Sequence, residues 1–64
     1  MVQKLREIRK KRGLTQKKLS ELSRVPRICI SRYEAGKYHP GLENASKLAA
    51  ALGVTVDELI GKAG

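Results

Sequence analysis

Apolar residues recur three and four positions apart along this chain, and Gly and Pro break that pattern into five stretches. The first runs from Val2 to Arg12, with Leu5, Ile8 and Arg12 on one face and Gly13 as a C-terminal stop. Thr15 is a good N-cap for a second helix over Gln16 to Ser23, in which Leu19 and Leu22 share a face. Arg24-Val25-Pro26 interrupts the pattern. Proline is tolerated at a helix start, so a third helix begins there and runs through Ile30, Tyr33 and Glu34 to Gly36. Gly36 to Gly41, which contains Pro40, reads as a loop. Leu42, Ala45, Leu48, Ala49 and Leu52 then form an unbroken helical stripe closed by Gly53. Thr55 and Glu58 have capping-box spacing for a short last helix through Leu59 and Ile60. Nothing alternates with period two over a useful length. The pattern predicts an all-α chain, with five short helices in one domain over residues 1–64.

Composition narrows what such a domain can do. Apolar residues make up 41%, without Trp or Phe and with only Tyr33 and Tyr38 as aromatics. The core is therefore small and aliphatic, too small for an active-site cleft of ordinary enzyme size. There is no apolar run of 18 residues, and the basic start is not followed by the apolar stretch of a secretory signal. A lone Cys29 excludes an internal disulfide and a Cys-based structural zinc site, which points to the reducing cytoplasm. Cys29 reads as a small packing residue, with a redox-sensing thiol near Arg32 as the other reading. His39 is the only histidine and has no Cys or carboxylate at metal or triad spacing. No catalytic group, metal or cofactor is expected.

Charge changes the picture more. Of fourteen bases twelve fall in residues 1–37, with only three of the six acids, so that stretch carries +9 and the remainder −1. A field of that sign over one half of a small domain attracts a polyanion. A membrane surface is the weaker choice, because the apolar stripe of Met1 to Arg12 is narrow and lacks aromatic anchors. Single-stranded nucleic acid is disfavoured for want of stacking side chains. The short turn before Pro26, with Val25 in its angle, is how two helices meet in a helix-turn-helix, although an ordinary helical corner uses similar turns. If Ile30 and Tyr33 face the core, then Ile28, Ser31 and Arg32 face outward, with Arg27 at the helix tip. In a major groove an arginine can donate two hydrogen bonds to guanine, and an aliphatic group can pack on a thymine methyl. The other reading makes Ile28 a second core contact.

The run LTQKKLSELSRVPRICISRYEAGK, followed by HPGLENASKLAAALGVTVDELI, resembles the Cro/repressor-type (XRE-like) helix-turn-helix family of bacterial and phage regulators, from about Leu5 to Ile60. The resemblance implies a lambda-repressor-like five-helix domain that places helix three, about residues 27–35, in the major groove of double-stranded DNA. It also implies action as a dimer on two half-sites. It puts Gln16 against a phosphate at the start of helix two, where free N–H groups favour an anion. Arg27, Ile28, Ser31 and Arg32 fall at base-reading positions, and Lys37 at a backbone-phosphate position. Arg9 and Glu34 fall where members pair a buried Arg and Glu between helices one and three. Three positions depart from the family pattern. Arg24 replaces a turn glycine, Pro26 replaces a Ser or Thr cap, and Ala35 replaces an Asn that contacts phosphate.

A homodimer, at least on DNA, follows from the low specificity of one half-site. Its interface is expected at Val56, Leu59 and Ile60, because with Val54 these exceed what one short helix buries against Leu48 and Leu52. The other reading has all four closing the monomer core. The function expected is a sequence-specific regulator of transcription acting as a repressor. The other class is an antitoxin or anti-repressor of the same fold that works mainly through a protein partner.

Overall fold

Five helices build the structure, a computed structural model that describes residues 4–61. They are α1 (Leu5–Lys11), α2 (Gln16–Ser23), α3 (Arg27–Glu34), α4 (Leu42–Leu52) and α5 (Val56–Ile60), with no strand among the described residues. Thr15 caps α2, its hydroxyl accepting from the Lys18 N–H at 3.0 Å. Thr55 and Glu58 form a complete capping box on α5. α2 packs against α3 and α4, α4 packs against α5, and α1 bridges α3 and α5. One set of aliphatic side chains fills the space between them. Leu5, Leu19, Ile30, Leu48, Leu52 and Leu59 come from the helices, and Val25 comes from the turn.

That turn is held by its own polar groups. The Ser20 hydroxyl donates to the Val25 carbonyl at 2.7 Å, and the Val25 N–H donates to the buried Ser23 Oγ at 3.2 Å. Arg24 between them has φ +63°, the one non-glycine residue with positive φ among those described. Its N–H closes on the Ser20 carbonyl at 2.8 Å. The left-handed residue reverses the chain so that Val25 drops into the core at full burial and Pro26 starts α3.

Several expectations are corrected here. Arg12 does not belong to an inward stripe: α1 ends at Lys11, and Arg12 is its exposed C-cap. The inward polar residue is Arg9, one turn beyond Leu5. Leu22 is 52% exposed, because the core line of α2 runs through Leu19 and Ser23. Leu42, the first residue of α4, stands 79% exposed, ahead of the buried stripe that starts at Ala45. Leu59 is wholly buried and offers nothing to a second copy, whereas Val56 and Ile60 are half-buried beside it. α3 ends at Glu34 rather than Gly36. Val2 lies outside the described residues.

α1 and α3 are joined by one buried ion pair. Arg9 Nε donates to Glu34 Oε2 at 2.6 Å and Nη2 to Oε1 at 3.0 Å, a two-pronged fork. The third nitrogen, Nη1, donates to the Leu14 carbonyl at 2.8 Å. The side chains are only 10% and 5% exposed. The hydrogen-bonded Glu34 raises the Arg9 pKa above its ordinary value, against the opposing effect of burial. Arg9 therefore stays charged at any pH a folded protein meets.

Two consequences are measurable by thermal or urea denaturation. Glu34→Ala leaves a buried guanidinium without its partner and should destabilise by about 3–5 kcal/mol. A domain of this size has only about 3–10 kcal/mol in total at ~0.05–0.15 kcal/mol per residue, so the variant should be barely folded at 37 °C. The double change Arg9→Met, Glu34→Leu should recover part of the loss. A melting temperature unchanged by Glu34→Ala would show that the pair carries no stability. Arg24→Gly removes the left-handed strain of an exposed residue and should stabilise by about 0.5–1 kcal/mol, once the greater chain freedom of glycine is subtracted. A less stable Arg24→Gly protein would show that the arginine side chain contributes more than its backbone conformation costs.

Candidate nucleic-acid interface

α3 is two-faced. Ile30 is fully buried, Tyr33 is half-buried on the same side, and the Glu34 side chain is buried there in its ion pair. The Tyr33 hydroxyl accepts from Asn44 Nδ2 on α4 at 3.0 Å, which ties the inner face down. Ile28 and Arg32 lie on the opposite, exposed face with Ser31 at its flank, and Arg27 is exposed at the start of the helix. Ile28 is 58% exposed, so it is not a core contact. Cys29, between the faces, is half-buried against the core. Four adjacent side chains thus offer two guanidinium groups, one hydroxyl and one branched aliphatic. Those are the donor and apolar types that read base edges in a major groove.

Gln16, expected against a phosphate, is the first residue of α2 and half-buried. Its Nε2 donates to Glu34 Oε1 at 3.1 Å, so its amide belongs to the same polar cluster as the Arg9–Glu34 pair. Arg6, Arg9, Gln16, Ser31, Glu34 and Ala35 line one shallow hollow there. This puts Arg6 of α1 beside the outer face of α3, a neighbourhood that helical spacing within α1 does not reveal.

The end of α3 is shaped by Gly36, whose φ is +77°. The Gly36 N–H donates to the Tyr33 carbonyl at 3.1 Å and the Lys37 N–H to the Arg32 carbonyl at 3.1 Å, the paired bonds of a Schellman turn. The chain folds back over the helix it has just left. Lys37 emerges exposed, and the Arg32 guanidinium sits 5.3 Å from the centre of the Tyr38 ring. Tyr38 stands six residues from Arg32, a spacing that no helical period brings together; the Gly-Lys pair that closes the helix is the signal in the sequence.

The electrostatics of the two faces differ. The ion pairs among the described residues are Arg9–Glu34 and three exposed local pairs, Lys4–Glu7, Lys18–Glu21 and Lys47–Glu43. Arg27, Arg32 and Lys37 have no carboxylate within salt-bridge distance among the described residues, so their charge is offered to solvent. His39 is exposed in the same loop as Tyr38. No cluster of His, Cys, Asp and Glu suited to a metal ion occurs among the described residues, and no helix of theirs is long and apolar enough to cross a membrane.

The chain matches the helix-turn-helix family over residues 5–59. It is 38% identical over 58 residues to the HTH-type transcriptional activator BcrR of Enterococcus faecalis, covering 91% of this chain and 28% of that protein. It is 35% identical over 60 residues to the immunity repressor protein of Bacillus phage phi105, covering 94% of this chain and 42% of the repressor. An uncharacterized HTH-type transcriptional regulator of Methanothermobacter thermautotrophicus is 47% identical over 49 residues, which cover 77% of this chain and 71% of the relative. The chain thus spans less than half the length of the first two of these proteins.

Proposed function

The chain belongs to the helix-turn-helix family, and from that premise we propose that it is a Cro/repressor-type, sequence-specific double-stranded DNA-binding regulator that represses transcription by occupying its operator. The carrying observation is the outer face of α3, where Arg27, Ile28, Ser31 and Arg32 stand exposed together while Ile30 anchors the helix behind them. In this reading α3 enters the major groove, Arg32 and Arg27 donate to base edges, and Ile28 packs on a thymine methyl. Lys37 meets a backbone phosphate. Gln16, with its amide already bonded to Glu34, turns the remaining N–H and the start of α2 toward another. The relatives, a transcriptional activator and a phage immunity repressor among them, support regulation of transcription.

Two copies act on one site in this proposal, since a single half-site is too short to stand out among a genome's competitors. The pairing surface is the weakly charged C-terminal side, through Val56 and Ile60, with Leu59 supporting them from the core.

Selection of duplexes from a random pool, followed by titration of the selected palindrome, tests the proposal. Affinity should fall steeply with salt. Lys37→Ala should weaken all duplexes alike and reduce the salt slope by about one, whereas Arg32→Ala should relax preference at one base pair by roughly 1–3 kcal/mol. Ile60→Glu should leave half-site binding intact and abolish cooperative filling of the palindrome. Salt-independent binding, or the same pattern of loss in the Lys37 and Arg32 variants, would contradict the assignment.

A further inference from the structure

The stack of Arg32 on Tyr38 is not among the features that hold the fold together. Tyr38 is 55% exposed, Arg32 is exposed, and neither side chain belongs to the core. Two exposed side chains six residues apart meet because the Schellman turn at Gly36 directs the chain back along α3. At 5.3 Å from the ring centre the guanidinium is within the range of a cation–π contact.

The geometry has a consequence for recognition. A guanidinium held over an aromatic ring meets no hydrogen-bond acceptor there, so its N–H groups are not committed to a competing oxygen. A free arginine side chain samples many rotamers and must be ordered when it docks on a base. A stacked one is already restricted. The aromatic face also supplies attraction to a cation without a carboxylate's competing acceptors, so the donors of Arg32 remain open to a base edge. Arg27, at the other end of the same face, has no aromatic stack among the described residues.

We propose that Tyr38 is a positioning residue for Arg32, its ring presetting the guanidinium for bidentate reading of a guanine and so sharpening the base preference of the protein. This rests on the duplex-binding reading above. The hydroxyl is not required; the ring is.

The test compares wild type with Tyr38→Phe, Tyr38→Leu, Arg32→Ala and the double change Arg32→Ala, Tyr38→Leu. Each is titrated against the selected duplex and against the same duplex altered at the base pair that Arg32→Ala ceases to distinguish. Tyr38→Leu should lower the discrimination ratio by about two- to five-fold, the size of an exposed cation–π contact. Tyr38→Phe should keep the wild-type ratio, and Tyr38→Leu should change nothing further once Arg32 is alanine. A Tyr38→Phe protein as impaired as Tyr38→Leu would mean that the hydroxyl acts, by a phosphate contact, and would overturn the proposal. So would a loss from Tyr38→Leu that persists without Arg32. Proton NMR of the free protein separates this inference from the function it rests on. The δ-methylene protons of Arg32 should show a ring-current shift that disappears in Tyr38→Leu. Absence of that shift in the wild type overturns the stack and leaves duplex binding standing. A shift without any duplex binding overturns the DNA-binding function and, with it, the role of Tyr38.

Discussion

The Glu34 carboxylate is the point on which three helices converge. It closes α3, it is gripped by Arg9 of α1 through a two-pronged fork, and it receives the amide of Gln16 from the first residue of α2. An eight-residue helix has little stability of its own in water. α3 therefore depends on its neighbours for both its existence and its orientation. Ile30 anchors it near the middle by apolar burial, and Glu34 anchors its end by charge. With those two points fixed on the inner side, Ile28 and Arg32 opposite them and Ser31 at the flank are forced outward. The exposed row of Arg27, Ile28, Ser31 and Arg32 is thus a by-product of what is buried behind it.

The same arrangement sorts the charges. Glu34 is spent on Arg9, and the exposed acids Glu7 and Glu21 sit beside lysines one helical turn away. The arginines of α3 and Lys37 keep their charge free of local partners among the described residues. A chain with +9 in residues 1–37 can hold so many bases in one half because the acids present there are placed where they do not neutralise the outer face of α3. Such a surface draws a polyanion from a distance and then presents directional donors on contact.

Most of the helical order was legible in the sequence because its punctuation is local. Thr15, Pro26, Gly53 and the Thr55/Glu58 box act within one turn of where they stand, and the helices start and stop beside them. The outward set on α3 was legible from angular spacing for the same reason. Features that depend on how far a neighbour extends were less so. Leu22 and Leu42 continue apolar stripes, yet both are exposed, because a stripe shows which way a side chain points and not whether another helix reaches it. Leu59 is the converse: an apparent surplus of apolar residues in a short helix proved to be core. Gln16 meeting Glu34 and Tyr38 meeting Arg32 depend on tertiary placement and on a turn, and no periodicity encodes either.

In the proposed function the Arg9–Glu34 lock holds α3 in a preformed posture whose outer face docks on duplex DNA. A titration of isotope-labelled protein with its selected duplex, followed by NMR, tests it most directly. The largest amide shifts should fall on residues 27–32, Gln16, Lys37 and Tyr38, while the hydrogen-bonded Nε–H resonance of Arg9 should stay in place throughout. Shifts concentrated on the outer side of α4, or an Arg9 resonance that moves or vanishes as the duplex binds, would contradict it.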